Sequence, residues 1–244
     1  MIDIHCHLLP GIDDGARDLE ESLALCRHAV AGGITHAVVT PHIHPGRWDN
    51  DRSVIEDVFA LLKQAVADAG LPLRLGMASE VRISAEILTM IPEGRVPFLG
   101  TYGGEDVMLL ELPHGHVPPG ADKMVRWLLR QGIRPMIAHP ERNKELMRDY
   151  DRIKPFVEAG CLLQLTAGAV AGRFGAPAAA CARHILECGW AAVLASDGHN
   201  LRARPPELAE GREAAAKVVG DREARRLVSE RPWAIVGSQF SELS

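Results

Sequence analysis

Short apolar runs rich in β-branched residues alternate along this chain with longer amphipathic stretches, and no other feature constrains the fold as much. The runs are 2–4, 35–40, 73–81, 107–112, 134–138, 161–165 and 191–195, about seven in all. Between and after them the spacing predicts helices over 18–32, 53–69, 121–131, 152–159, 176–188, 206–219 and 221–229. Asp18 is placed to cap the first, and Gly32-Gly33 to end it. Strand–helix repetition at this spacing implies a mostly parallel sheet, and seven such units suit a closed or nearly closed barrel. No linker, repeat or low-complexity tract divides the 244 residues, so 1–244 reads as a single α/β domain.

The polar residues fall at the C-terminal ends of the predicted strands, the rim where barrels collect ligands and catalysts. His5 and His7 stand two apart, so a strand turns both imidazoles to one face, where they can chelate a divalent ion. The loop Pro10–Gly15 follows, and either Asp13 or Asp14 can cap its turn or reach a metal. Pro41 halts the second strand and leaves His42 at the rim, with His44 two residues on. Glu80 ends the third strand. Glu111 lies in the apolar run VMLLELP, where burial would be costly without coordination or a strong hydrogen bond. His139-Pro140-Glu141-Arg142 and Ser196-Asp197-Gly198-His199 close two further strands. Each piece alone has a bland explanation; their recurrence at nearly every strand end does not.

A net charge of -5 gives no basic footprint for nucleic acid. The start MIDIHCH has no secretory pattern, and no apolar stretch is long enough to span a bilayer, so a cytoplasmic protein without membrane insertion is expected. The five cysteines are odd in number and lack C-x-x-C spacing, which reads as reduced thiols. None is followed at the sixth position by the arginine that a cysteine-based tyrosine phosphatase needs, and no P-loop or G-x-S-x-G elbow is present.

The segments MIDIHCHLLPGIDDGARD, VVTPH, SEVRI, LLELP, AHPERN, LQLTAGAVAGRFG and LASDGHN together resemble the polymerase and histidinol phosphatase (PHP) superfamily. They are closest to its bacterial tyrosine-protein phosphatases of capsule and exopolysaccharide gene clusters. The resemblance runs from Met1 to about Pro206. It implies a distorted (β/α)7 barrel with a site for three divalent metal ions. His5, His7, Glu80 and Asp197 would hold the first; Glu80, Glu111 and His139 the second; Asp14, His42 and His199 the third. Arg142 and Arg204 match the phosphate-binding arginines, and Asp14 could assist the leaving group. Manganese (Mn2+) is the metal usually associated with this branch, although the ligand set suits iron or zinc equally. The implied substrate is a phosphotyrosine protein, the tail of a bacterial tyrosine kinase that controls polysaccharide assembly. The alternative is a small phosphate ester such as histidinol phosphate. A metal-binding regulator without activity is a third reading, against which the full ligand set argues. Oligomeric state is left open.

Around this set, Cys6 alternates to the opposite face as a core thiol, and Asp3 is placed to orient a ligand histidine. Arg47 and Trp48 form either a packed loop or part of the substrate mouth, and His114 and His116 lie near the rim.

Overall fold

A computed structural model describes residues 1–240. Its strands are β1 (Ile2–Cys6), β2 (His36–Val39), β3 (His42–Ile43), β4 (Arg74–Met77), β5 (Glu80–Arg82), β6 (Gly100–Tyr102), β7 (Glu105–Glu111), β8 (Ile133–Ala138), β9 (Leu162–Thr166) and β10 (Ala191–Ala195). All pairings are parallel except that of β6 with β7. One sheet runs β1-β2-β4 and the other β10-β9-β8-β7-β5-β3.

The two sheets are parts of one curved wall. Thr40-Pro41 divides β2 from β3, and Ala78-Ser79 divides β4 from β5. Across these breaks the Ala78 amide donates to Val39 O and the Glu80 amide to Pro41 O. Seven strand positions result, the number expected, with two of them broken at the rim. β1 and β10 meet only near their C-terminal ends. There Cys6 and Gly198 form an isolated parallel bridge, the Asp197 amide donates to His5 O, and the His7 amide donates to Gly198 O.

Alternate strand positions divide the core in two. Ile2, Ile4, Val38, Ala78, Val107, Leu109, Met136, Ala138, Val193 and Ala195 form the barrel interior. Ile235, Val236 and Phe240 join them and plug the end opposite the functional rim. They belong to the helix Glu230–Val236 and a 3-10 turn Gly237–Phe240. Neither this helix nor β6 was expected from the sequence. The larger cluster packs the outward faces of the strands, including Cys6, Met108, Leu110, Ile137, Leu163 and Leu194, against the surrounding helices.

The predicted helices over 18–32, 53–69, 121–131 and 176–188 form as Leu19–Ala31, Arg52–Asp68, Ala121–Arg130 and Ala176–Glu187. Asp18 caps the first by accepting from the Glu21 amide, which satisfies one of the free donors of its opening turn. The stretch 152–159 is a 3-10 turn, Tyr150–Ile153, leading into a short helix, Lys154–Glu158. The last two predicted helices are shorter than expected, at Ala209–Val219 and Asp221–Arg226. No helix among the described residues is long and apolar enough to cross a membrane.

Candidate metal centre and active-site cavity

Strict alternation along β1 would point His5 and His7 away from the interior face that Ile2 and Ile4 occupy. A bulge prevents this: Asp3 pairs with Ala37 but Cys6 with Val39, so β1 carries one extra residue between them. Bulges re-aim side chains in this way near active sites. Both imidazoles turn into the rim, and Cys6 turns out to lie 3.4 Å from Val38 O. His139 is re-aimed differently. It follows Ala138 of the interior face and takes a left-handed backbone, φ 32°. With Asp197, φ 53°, it is one of two non-glycine residues of positive φ among those described. Such backbone costs on the order of 1–3 kcal/mol and tends to gather at functional sites.

The nine residues expected to ligate metal converge on this rim. Oδ1 of Asp197 and Oε2 of Glu80 each lie 3.3 Å from His5 Nε2. The His7 Nε2 atom lies 3.3 Å and 3.4 Å from the same two oxygens. His5, His7, Glu80 and Asp197 therefore form one four-donor group. A second comprises His7, Asp14, His42 and His199, with Asp14 Oδ1 3.3 Å from His42 Nε2 and 3.4 Å from His199 Nε2. The third group is His42, Glu80 and Glu111. His42 thus faces two groups, its Nε2 turned to Asp14 and its Nδ1 3.0 Å from Glu80 Oε2. His139 was expected with Glu80 and Glu111; its Nε2 pairs at 2.8 Å with Glu80 Oε1, the carboxylate oxygen turned away from His5.

Most of the cluster is sealed from water. His5, His7, Glu80, Glu111, Asp197 and His199 are at most 1% exposed. Buried polar atoms normally find partners, yet Glu80 Oε2, Glu111 Oε2, His42 Nδ1 and His199 Nε2 have no hydrogen bond. Unpaired donors and acceptors converging at these distances, with nitrogen and oxygen chemistry, fit divalent cations.

The groups of the cluster shift one another strongly: against burial, the carboxylates beside them raise His5, His7 and His42. Burial alone would raise the Glu80 carboxyl, but His5 and His42 beside it hold it well below the usual carboxylate range. Asp197 is likewise lowered against burial, by His199, Arg142 and His5. Glu111 has less cationic company, and burial followed by Glu80 pushes it up to about 7. Burial and then Arg142 lower His139 to about 4, which leaves it neutral as a ligand must be.

The surrounding contacts fix which ring nitrogen faces inward. His5 Nδ1 lies 2.8 Å from Gln164 Oε1, His7 Nδ1 2.7 Å from Asp13 Oδ2, and His199 Nδ1 2.8 Å from Asp197 O. These partners hold each Nε2 toward the centre. The two aspartates of the PGIDDG loop are thereby separated: Asp14 faces the cluster, whereas Asp13 orients His7 and accepts from the His42 amide. Asp3 does not orient a ring. It accepts from the Ser196 amide and hydroxyl, and so ties β1 to the segment carrying Asp197.

A cavity of about 540 Å³ opens above the cluster. Arg142 and Arg204 line it as expected. Arg142 donates to Asp197 and lies 4.5 Å over the Phe174 ring; Arg204 reaches Asp14 at 3.4 Å. Arg47, Trp48 and His114 also line it, but His116 does not. Residue-by-residue reasoning missed Arg82, Gln164 and Phe174. Arg82 lies two positions beyond Glu80 on β5, and Gln164 is the polar residue inside LLQLT; both carried a periodicity signal.

The family model for capsular polysaccharide synthesis proteins of the CpsB/CapC type matches residues 1–237. The chain belongs to the CpsB/CapC family. Tyrosine-protein phosphatase YwqE of Bacillus subtilis is 34% identical to it over 204 residues, 84% of this chain and 79% of that protein. Tyrosine-protein phosphatase CpsB of Streptococcus pneumoniae is 27% identical over 249 residues, 98% of this chain and all of that one. Among solved structures, work on YwqE and S. pneumoniae CpsB, described as unique metal-dependent tyrosine phosphatases, contains a chain that superposes with a TM-score of 0.90 at 31% identity. That superposition covers 98% of this chain and 95% of the other. A β-aspartyl dipeptidase from Fervidobacterium islandicum shares the fold alone, at a TM-score of 0.58 and 16% identity. For a CpsB/CapC protein, the rim cluster is the feature to be explained.

Proposed function

We propose that this CpsB/CapC protein is a metal-dependent protein-tyrosine phosphatase. Its substrate is the phosphorylated tail of a bacterial tyrosine kinase, and its action controls capsular or extracellular polysaccharide synthesis in the cytoplasm. The observation that carries this reading is the convergence of nine imidazole and carboxylate side chains, of the kind that ligate metals, beneath an arginine-lined cavity. His5, His7, Asp14, His42, Glu80, Glu111, His139, Asp197 and His199 would hold three divalent ions, manganese in the first instance.

When bound, the cations supply Lewis acidity toward phosphoryl oxygens and lower the pKa of water toward neutrality. The chain does the rest. Gln164, Asp13 and the Asp197 carbonyl keep three imidazoles aimed inward, so no reorganisation is needed when substrate arrives. Arg142 and Arg204 receive the phosphate: a guanidinium fork matches two phosphoryl oxygens, and the Phe174 ring under Arg142 fixes its plane. Both arginines now rest against carboxylates of the metal set, and cations bound there would release them toward the anion. Tyrosine phenolate, with a free pKa of about 10, leaves without help from a strong acid. Asp14, the ligand side chain most open to solvent, is the group placed to handle its proton.

The test is a substrate panel. With Mn2+, the enzyme should hydrolyse phosphotyrosine peptides orders of magnitude faster than histidinol phosphate or sugar phosphates, and a chelator should abolish turnover. Preference for a metabolite would move the assignment to the small-molecule branch. Undiminished activity in chelator would refute it.

A further inference from the structure

Five arginines line the cavity: Arg47, Arg82, Arg142, Arg173 and Arg204. Four have carboxylate partners. Arg142 and Arg204 pair with Asp197 and Asp14, Arg82 with Glu111, and Arg173 with Glu207 and Glu210 outside the metal set. Arg47 has no carboxylate within ion-pair distance among the described residues.

Its position is fixed by stacking. The Trp48 ring lies parallel to His42, 6° apart with centroids at 4.7 Å, so His42 covers one face of the indole. The Arg47 guanidinium is 4.0 Å from the centroid of the same ring and must occupy the other face. His42, Trp48 and Arg47 therefore form a ladder rising from the cluster to the mouth. The cation on its top rung is exposed, two stacking steps from the nearest ligand. Arg142 and Arg204 rest on carboxylates of the cluster itself, whereas Arg47 stands two stacking steps above it, so a phosphoryl group seated against the first two leaves Arg47 to the parts of the substrate beyond the phosphate. What reaches that height is the outer end of a phosphotyrosine side chain, with the residues on either side. Arg82 stands on the same wall. Its Nε is 3.0 Å from Glu111 Oε2 without an aligned hydrogen bond, so its fork is not saturated.

We infer that Arg47, with Arg82 behind it, forms an anion subsite at the cavity mouth. It takes a carboxylate or a second phosphoryl group on a residue flanking the scissile phosphotyrosine. The subsite rests on the phosphatase reading and deepens it: the enzyme selects acidic or multiply phosphorylated segments.

The experiment compares matched phosphotyrosine peptides flanked by alanine, by glutamate or by phosphotyrosine. Wild-type kcat/KM should favour the anionic flanks by about tenfold at low salt, with the advantage shrinking as salt screens it. In Arg47→Ala this ratio should fall toward one, and in Arg47→Glu below one. Binding of the same peptides carrying a non-hydrolysable phosphonate should follow the same order by fluorescence anisotropy, without any turnover. Thermal melting of both variants checks that they are folded. Equal kcat/KM on all flanks in the wild type, or a ratio unmoved in folded Arg47→Glu, overturns the subsite while leaving the phosphatase reading intact. Failure of the wild type on every aryl phosphate, p-nitrophenyl phosphate included, overturns both.

Discussion

The Nε2 atoms of His5 and His7 face each other at 3.3 Å, and Glu80 Oε2 lies 3.3 Å from each. Two imidazoles gain little by meeting in this way. Without a cation the cluster must hold protons to relieve itself, and a ligand that binds only the folded state stabilises it by mass action. Chelation should therefore lower Tm, and Mn2+ at a thousandfold its Kd should restore about 4 kcal/mol. Calorimetry with and without chelator reads this directly. His5→Ala should diminish the metal-dependent shift and abolish the activity, whereas an identical wild-type Tm in all conditions would contradict a metal centre.

Asp13 touches no proposed cation site, yet it fixes the His7 ring through Nδ1 at 2.7 Å. Losing such an orienting partner typically costs roughly 10–100-fold in metal affinity. Asp13→Ala should weaken metal binding by that factor, measured by competition with a fluorescent chelator. Activity should recover at high metal concentration. Asp14→Ala, which removes a ligand itself, should not recover.

Glu141 of the HPER segment is fully buried and faces away from the catalytic chemistry. Its Oε1 accepts from the Thr166 amide, while its Oε2 and the Thr166 hydroxyl have no hydrogen-bond partner. Burial raises its pKa from 4.5 to about 7. Below the lower value both folded and unfolded states carry the proton, and above the higher one neither does. Between them the folded state keeps a proton that the unfolded state has released, so this residue's contribution to stability declines as pH rises, by about 3 kcal/mol in total. Glu141→Gln, permanently neutral, should melt higher than wild type at pH 8, and the gap should close toward pH 4.5. A gap independent of pH would show that the carboxyl is not the source.

Gly15 packs against the strand end. A Cβ there would lie 2.2 Å from the carbonyl oxygen of His7, which is backbone and cannot step aside. Gly15→Ala should cost about 1–3 kcal/mol or more. It should also displace Asp13 and Asp14, giving a larger fractional loss in kcat than in folded protein. Gly46→Ala is the control for space: nothing lies within 4 Å of a Cβ there, although its φ of 79° carries backbone strain.

The strand positions and the nine cluster residues were legible because most of them obey simple periodicities. Glu80 and Glu111 follow Ala78 and Leu109 by two on the interior face, and the polar strand ends mark the rim. The pairing of ligands was harder to read. His42 spans two groups, because a ring with two nitrogens chooses its partners in three dimensions, not along the chain. The β1 bulge is equally silent in the sequence. H-x-H correctly implied a shared face, but only the extra residue between Asp3 and Cys6 decides that this face is the inner one. The helix Glu230–Val236 was missed because Pro232 interrupts a stretch that would otherwise read as amphipathic; proline is tolerated in its first turn.

The first and last barrel strands touch only at the rim, through Cys6 and Gly198, with Asp3 reaching Ser196 beside them. Half of the four-donor group, His5 and His7, comes from the first strand, and Asp197 follows the last. A cation in that group would have to wait until the two strands had found each other. Hydrolytic power would then be withheld from any folding intermediate in which the ring still stands open.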